Sequence, residues 1–140
     1  MNVWVCNIRQ GVLGYAQFPN QGLNSTYGAV ADYVGFGKTD ASPYYNNGGI
    51  ATHELGHCFY LIHIWGDDQG ACTGTDYCDD TPNQADHAYG NPKGVLYDSC
   101  SESGTGIMFM NFMDYTADSV SANFTPDQAA RIHAMFTPPY

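Results

Sequence analysis

The eleven residues HELGHCFYLIH, positions 53–63, hold three of the chain's five histidines and one of its two glutamates. His53 and His57 are four residues apart, so on a helix they leave one face a turn apart and both rings can reach a single ion. Glu54 sits one position round, off that ion yet close enough to touch a water beside it. Such a set suits hydrolysis. Zn²⁺ with an open position brings the pKa of its water to near 7, and a neighbouring carboxylate can take the proton as that water attacks a carbonyl. His63 constrains the backbone. On a continued helix it would lie about 9 Å beyond His57 along the axis and on another face, so a shared site requires the chain to turn just past Phe59. The rival arrangement leaves His63 a bystander and takes a downstream carboxylate such as Glu102 as third ligand.

The rest of the composition fits one globular unit. The chain has 140 residues, 44% of them hydrophobic, and no long run of one residue type, which predicts a single domain with one core. A formal charge of −10 argues against nucleic acid and anionic membrane surfaces and favours cationic partners, metal ions among them. Apolar runs such as Val3–Val5 and Cys58–Ile62 are far shorter than the roughly 20 residues that cross a bilayer. Residues Met1–Gln10 lack the features of a secretory signal. Five cysteines leave at least one unpaired within the chain.

Asn2–Ile8 alternates with the period of a strand, residues 11–18 (GVLGYAQF) read as a second extended segment, and Ala29–Phe36 as a third. Tyr45–Gly49 is a loop, and Ile50 begins the helix that carries the histidines. From Gly66 to Gly106 the sequence is dense in Gly, Asp, Asn, Ser and Pro, which predicts a long irregular segment tied down by metal or disulfide. The tail predicts a short helix. Thr125 is its cap, Pro126 lies in the first turn, Gln128 completes a capping box, and Ile132, Met135 and Phe136 share a face.

H-E-x-x-H-x-x-x-x-x-H resembles the zinc signature of the metzincin metalloproteases, and NFMDY, Asn111–Tyr115, resembles their Met-turn. Together with DDTPNQ at Asp79–Gln84 and NFMDYTADS at Asn111–Ser119, the spacing resembles the pappalysin (ulilysin-like) family over nearly the whole chain. The resemblance implies an α+β metzincin-like zincin catalytic domain, with a small twisted sheet, an active-site helix, an irregular loop region, a Met-turn and a carboxy-terminal helix. It implies His53, His57 and His63 as zinc ligands, Glu54 as general base and acid, and Met113 as the floor beneath the metal. Tyr115 matches a tyrosine that steadies the oxyanion, and Asp118 an aspartate that receives a basic side chain after the scissile bond.

Further expectations come from the same likeness. Cys72 and Cys100 match the two ends of a disulfide, while a second pair is replaced at both ends, by Asn91 and Val120. A bridge implies an oxidising, extracellular setting and leaves Cys6, Cys58 and Cys78 as free, mostly buried thiols. Asp76, the carbonyl of Cys78 and Thr81 match a calcium site; the ordinary reading of Asp67, Asp68, Asp79 and Asp80 is as solvated turn residues. The family has glycine where this chain has Tyr60. A left-handed residue there costs roughly 1–2 kcal/mol, small beside the about 10–16 kcal/mol of a structural zinc site. Family domains also begin well before the strand at Asn2, so the resemblance implies residues 1–140 as one catalytic domain truncated at its amino end, with Leu55, Cys58, Phe59 and Ile62 partly uncovered. The expected function is zinc-dependent hydrolysis of protein or peptide substrates laid along an edge strand, taken as Ala29–Phe36. The alternative is a chain that binds zinc without catalysis.

Overall fold

The small residues of the third strand decide how closely a helix can approach the sheet. In a computed structural model of the chain, which describes residues 1–9, 11–101 and 104–137, Asn2–Cys6 forms β1, Gly14–Ala16 β2 and Gly28–Asp32 β3. The sheet order is β1-β3-β2, with β1 parallel and β2 antiparallel to β3. Every residue of β3 (GAVAD) is buried, and helix α1, Gly49–Cys58, packs on β3 and β2. The strand itself offers the helix no side chain longer than valine or aspartate.

The expectations for the third strand are corrected here. The segment Ala29–Phe36 is extended only to Asp32, whose carboxylate accepts from the Val34 N–H at 3.0 Å and caps a short 3-10 turn, Tyr33–Gly35. That strand is also the centre of the sheet, hydrogen-bonded on both sides, so it has no free edge for a peptide. Among the described residues the edge beside α1 is β2. The partial exposure expected along the helix holds for Leu55, Phe59 and Ile62, which are half-buried, and fails for Cys58. Cys58 is completely buried against Tyr27 and Ala29, with Leu55 packed on the same cluster, and the Tyr27 hydroxyl donates to the Cys58 carbonyl. Val3, Trp4 and Val5 of β1 are exposed as well. Cys6 is exposed rather than buried, whereas Cys58 and Cys78 are buried free thiols.

Helix α1 stops because its C-terminal carbonyls are taken up by a tight left-handed closure. The Leu61 N–H donates to Gly56 O at 2.9 Å and the Tyr60 N–H to His57 O at 3.0 Å, the paired bonds of a Schellman motif, with Tyr60 at φ 70°. Gly56 is fixed by a different contact. A Cβ there would stand 2.5 Å from the Met113 sulfur. Beyond the turn, Leu61, Ile64, Trp65 and Met113 form a second buried cluster, lined by Met108, Tyr115, Phe124 and Ile132.

The irregular segment from Gly66 to Gly106 is ordered largely by carboxylates that accept backbone N–H groups. Asp68 takes those of Gly70, Ala71, Thr73 and Gly74, which hold its carboxyl below the usual range. Asp98 takes those of Ala85 and Cys100. The excess of acid is thus partly a folding device, since a side chain that satisfies several amides replaces a strand ladder. Cys72 and Cys100 are joined by a disulfide across 28 positions. Loop-closure entropy for that span is roughly 3–4 kcal/mol, so replacing both cysteines by serine should lower unfolding stability in denaturant by about that amount. A loss below about 1 kcal/mol would show that the carboxylates alone order the loop.

A short parallel pair, β4 (Tyr89–Gly90) and β5 (Tyr115–Thr116), joins this segment to the turn at Met113. Helix α2, Pro126–Ala134, begins with the full capping box of Thr125 and Gln128. Gln128 has a further role. Its amide and that of Asn111 exchange two hydrogen bonds, 2.8 and 3.1 Å, with both side chains fully buried, and Asn111 Oδ1 also accepts from the Met113 N–H. The expected apolar face of α2 holds at Ile132 and fails at Phe136, which is 66% exposed and touches Phe59.

Candidate functional site

The site begins with three imidazoles whose Nδ1 atoms are already engaged. His53 Nδ1 lies 2.7 Å from Phe112 O, His57 Nδ1 2.9 Å from Leu61 O, and His63 Nδ1 2.8 Å from an Asp67 carboxylate oxygen. Carbonyls and carboxylates only accept, so each Nδ1 carries the proton and each Nε2 a bare lone pair. Those lone pairs converge. His63 Nε2 lies 3.2 Å from both His53 Nε2 and His57 Nε2, and the potential ligand atoms of the three residues lie within 4.8 Å of one another. Three acceptors at that separation have no proton to share. A cation is the group whose chemistry fits them, and neutral imidazoles fixed through Nδ1 are the donor set zinc takes.

Electrostatics point the same way. Burial and the neighbouring imidazoles pull His53 and His63 down to about 3, and burial lowers His57. Trp65 stacks flat on His63, 4.2 Å between centroids and 9° between planes, and fixes that ring from the side. The third histidine therefore reaches the other two through the left-handed turn at Tyr60. Glu102, the rival third ligand, lies outside the described residues.

Glu54 lines a cavity of about 300 Å³ together with His53, Tyr115, Gly14 and Asp118. The residue is only 7% exposed, and its Oε2 is buried with no hydrogen-bond partner. Burial raises its pKa to about 7. A carboxyl poised there can hold or release a proton near neutrality, as general acid–base chemistry requires. Gly14 makes room for it, because a Cβ at that position would meet Glu54 Oε1 at 2.5 Å. The Tyr115 hydroxyl lies 3.2 Å from His63 Nε2, and burial pushes its pKa up to about 12, so it remains a hydrogen-bond donor. Met113 is completely buried beneath α1, against Gly56.

The structure brings the remaining expected residues together in two places. Asp118 lines the cavity, and its Oδ2 accepts from the N–H groups of Asn47 (2.5 Å) and Gly49 (3.1 Å) at the start of α1. Part of its charge is therefore spent on the positive end of that helix. The Thr81 hydroxyl lies 2.8 and 2.9 Å from the Asp76 carboxylate oxygens and 2.8 Å from the Cys78 carbonyl, beside a second cavity of about 230 Å³. These oxygens form the cluster that the sequence suggested.

Sequence reasoning did not find Asp67, Trp65 or His87. Asp67 is four residues from His63, a spacing usually informative only on a helix, and here it is met in a turn with Asp67 at φ 52°. His87 packs at 5.0 Å on Tyr115 and 5.3 Å on Trp65, and comes from a loop position that no local pattern marks.

Comparison with known proteins agrees with this geometry. An extracellular metalloprotease of Pyricularia oryzae is 38% identical over 136 residues, 95% of this chain and 46% of its own. Another, of Podospora anserina, is 37% identical over 142 residues, 98% of this chain and 47% of its own. The structure of mature mirolysin from Tannerella forsythia, solved with a cleaved peptide, superposes with a TM-score of 0.93 at 45% identity, covering 98% of this chain and 52% of that one. The chain thus spans about half the length of the relatives it matches. A peptidase family model described as Pregnancy-associated plasma protein-A matches residues 1–137, and with that extent of agreement the chain belongs to this family, the pappalysins.

Proposed function

We propose that the chain carries the catalytic centre of a zinc-dependent endopeptidase that acts on proteins or peptides outside the cell. The observation that carries this reading is the convergence of three Nε2 lone pairs beside a buried, unpartnered glutamate oxygen. His53, His57 and His63 would hold the ion, with Met113 as the floor below. Bound there, Zn²⁺ would acidify a water and polarise the scissile carbonyl. Glu54 takes the proton of the attacking water and passes it to the leaving amine. Tyr115 donates its hydroxyl hydrogen to the oxygen that becomes negative.

Substrate would lie along β2, the edge strand next to Glu54, making main-chain hydrogen bonds. Asp118, within the cavity, gives it affinity for a basic side chain after the scissile bond. The oxygens of Asp76, Cys78 and Thr81 suit a calcium ion that would clamp the irregular loop. The extracellular setting is supported by the names of the fungal relatives and by the disulfide. No described helix is long and apolar enough to cross a membrane.

The test is cleavage of a peptide library by the zinc-loaded chain, with and without a chelator. Cleavage that stops on chelation and returns with zinc is expected; activity indifferent to the chelator would contradict the reading, and stoichiometric zinc with no cleavage would favour the non-catalytic alternative. Gly14→Ala provides a finer check. The added methyl overlaps Glu54, and a displacement near 1 Å costs on the order of a hundredfold in rate, so turnover should fall by about that factor with zinc content unchanged.

A further inference from the structure

The turn that returns His63 to the other rings depends on Tyr60 at φ 70°, where a helix end ordinarily uses glycine. Several contacts converge on this residue. Arg131, on α2, donates from Nη2 to the Tyr60 carbonyl at 3.0 Å, and its guanidinium lies 5.5 Å from the centre of the Tyr60 ring. Phe18 meets the same ring edge-on at 6.2 Å and packs at 5.0 Å against His57. The guanidinium also lies 5.4 Å from the ring of Tyr77, between Asp76 and Cys78.

The peptide group joining Tyr60 to Leu61 is therefore held at both ends. Its carbonyl accepts from Arg131 and its N–H donates to Gly56 O. The next carbonyl, that of Leu61, is the acceptor that orients His57 through Nδ1. Rotation of this one peptide would move the His57 acceptor and the start of the segment leading to His63. Glycine would adopt the turn unaided and would give Arg131 no ring to cover. Tyrosine adopts it where surrounding contacts over-determine the backbone, and a cation over an aromatic face is one such contact.

We propose that Arg131 is a positioning residue for the metal centre: by holding both the carbonyl and the ring of Tyr60, it keeps the non-glycine turn left-handed and so aims His57 and His63 at one point. This rests on the zinc reading above. The test is a double-replacement cycle on the full chain, comparing wild type, Arg131→Ala, Tyr60→Gly and the pair. Each protein is measured for zinc affinity by competition with a chromophoric chelator, for the visible absorption of its cobalt form, and for thermal unfolding without metal.

In the wild-type background Arg131→Ala is expected to weaken zinc binding about tenfold, the factor that about 1.4 kcal/mol makes, and to alter the cobalt band. In the Tyr60→Gly background the same replacement should change affinity by less than about twofold and leave the band in place. An equal loss in both backgrounds makes Arg131 an ordinary packing residue and overturns the proposal, as does no loss in either. Should Arg131→Ala fail to fold, Arg131→Lys, which keeps the cation and loses the planar fork, carries the same cycle with the same two outcomes. A wild-type chain that takes up no zinc contradicts the metal reading instead. The metal-free unfolding temperatures then judge the Arg131 contact by itself: non-additive shifts support it, and additive ones overturn it.

Discussion

Replacing Glu54 with glutamine should lower peptide turnover by about a thousandfold or more, leave zinc bound, and make the metal-free protein more stable at pH 8. The rate loss follows from removing a general base and acid, which contributes about 10²–10⁴, while the shape of the site is kept. The stability gain follows from burial. In the folded state the Glu54 pKa rises from 4.5 to about 7 because its carboxylate is taken out of water. Below pH 4.5 both the folded and unfolded chains hold the proton, so the group costs nothing. Between pH 4.5 and 7 the unfolded chain releases it and the folded chain does not, and the penalty grows. Above pH 7 the penalty is complete, on the order of 3 kcal/mol at the full shift. Glutamine never ionises and escapes it. Unfolding of wild type and Glu54→Gln without metal, followed at pH 4 and pH 8, checks the sign: the two should differ at pH 8 and converge at pH 4. A variant that is no more stable at pH 8, or that still cleaves, refutes the role given to this carboxyl.

His63→Ala should cost more than about a hundredfold in zinc affinity, because removing even a residue that only orients a ligand typically costs about 10–100-fold. Asp67→Ala supplies that smaller reference within the same site, since Asp67 is no ligand itself and bonds the His63 ring at Nδ1. Titration with a competing chelator should therefore rank wild type above Asp67→Ala and Asp67→Ala above His63→Ala. Full affinity in the His63 variant would remove the metzincin arrangement. The lowered histidine values add a pH effect. An imidazole kept neutral by burial stabilises the fold only where the unfolded chain is neutral too. The metal-free protein should accordingly lose stability as pH falls below the ordinary histidine value of 6.5, where unfolding takes up protons.

What could be read from the sequence was local and periodic. The i, i+4 spacing of His53 and His57 and the capping box at Thr125 each place side chains through a single element, and both are present in the fold; the strand expected at Asn2–Ile8 forms over Asn2–Cys6, without alternating burial. The need for a turn before His63 also followed from helix geometry alone, and the structure puts it at Tyr60. Sheet order was not legible, because nothing in Gly28–Asp32 says which strands flank it; its burial on all sides comes from pairings 13 to 26 positions away. For that reason β3 reads as an edge strand in the sequence, whereas it is the central one, and the edge beside α1 is β2. The surroundings of the histidines were hidden for a related cause. Phe112 and Leu61 act through backbone carbonyls, which every residue has, and Trp65 acts through stacking. A solvated turn is the ordinary reading of Asp68 in the sequence; in the fold it gathers four backbone amides, and Asp98 gathers two.

The pair of buried amides at Asn111 and Gln128 ties the floor of the site to the last helix. Each side chain gives one hydrogen bond to the other and receives one, so an isolated change at either end strands a polar group in a dry interior. Homologues should consequently keep both residues or exchange both at once, and two letters 17 places apart in the text would drift through evolution as a single character.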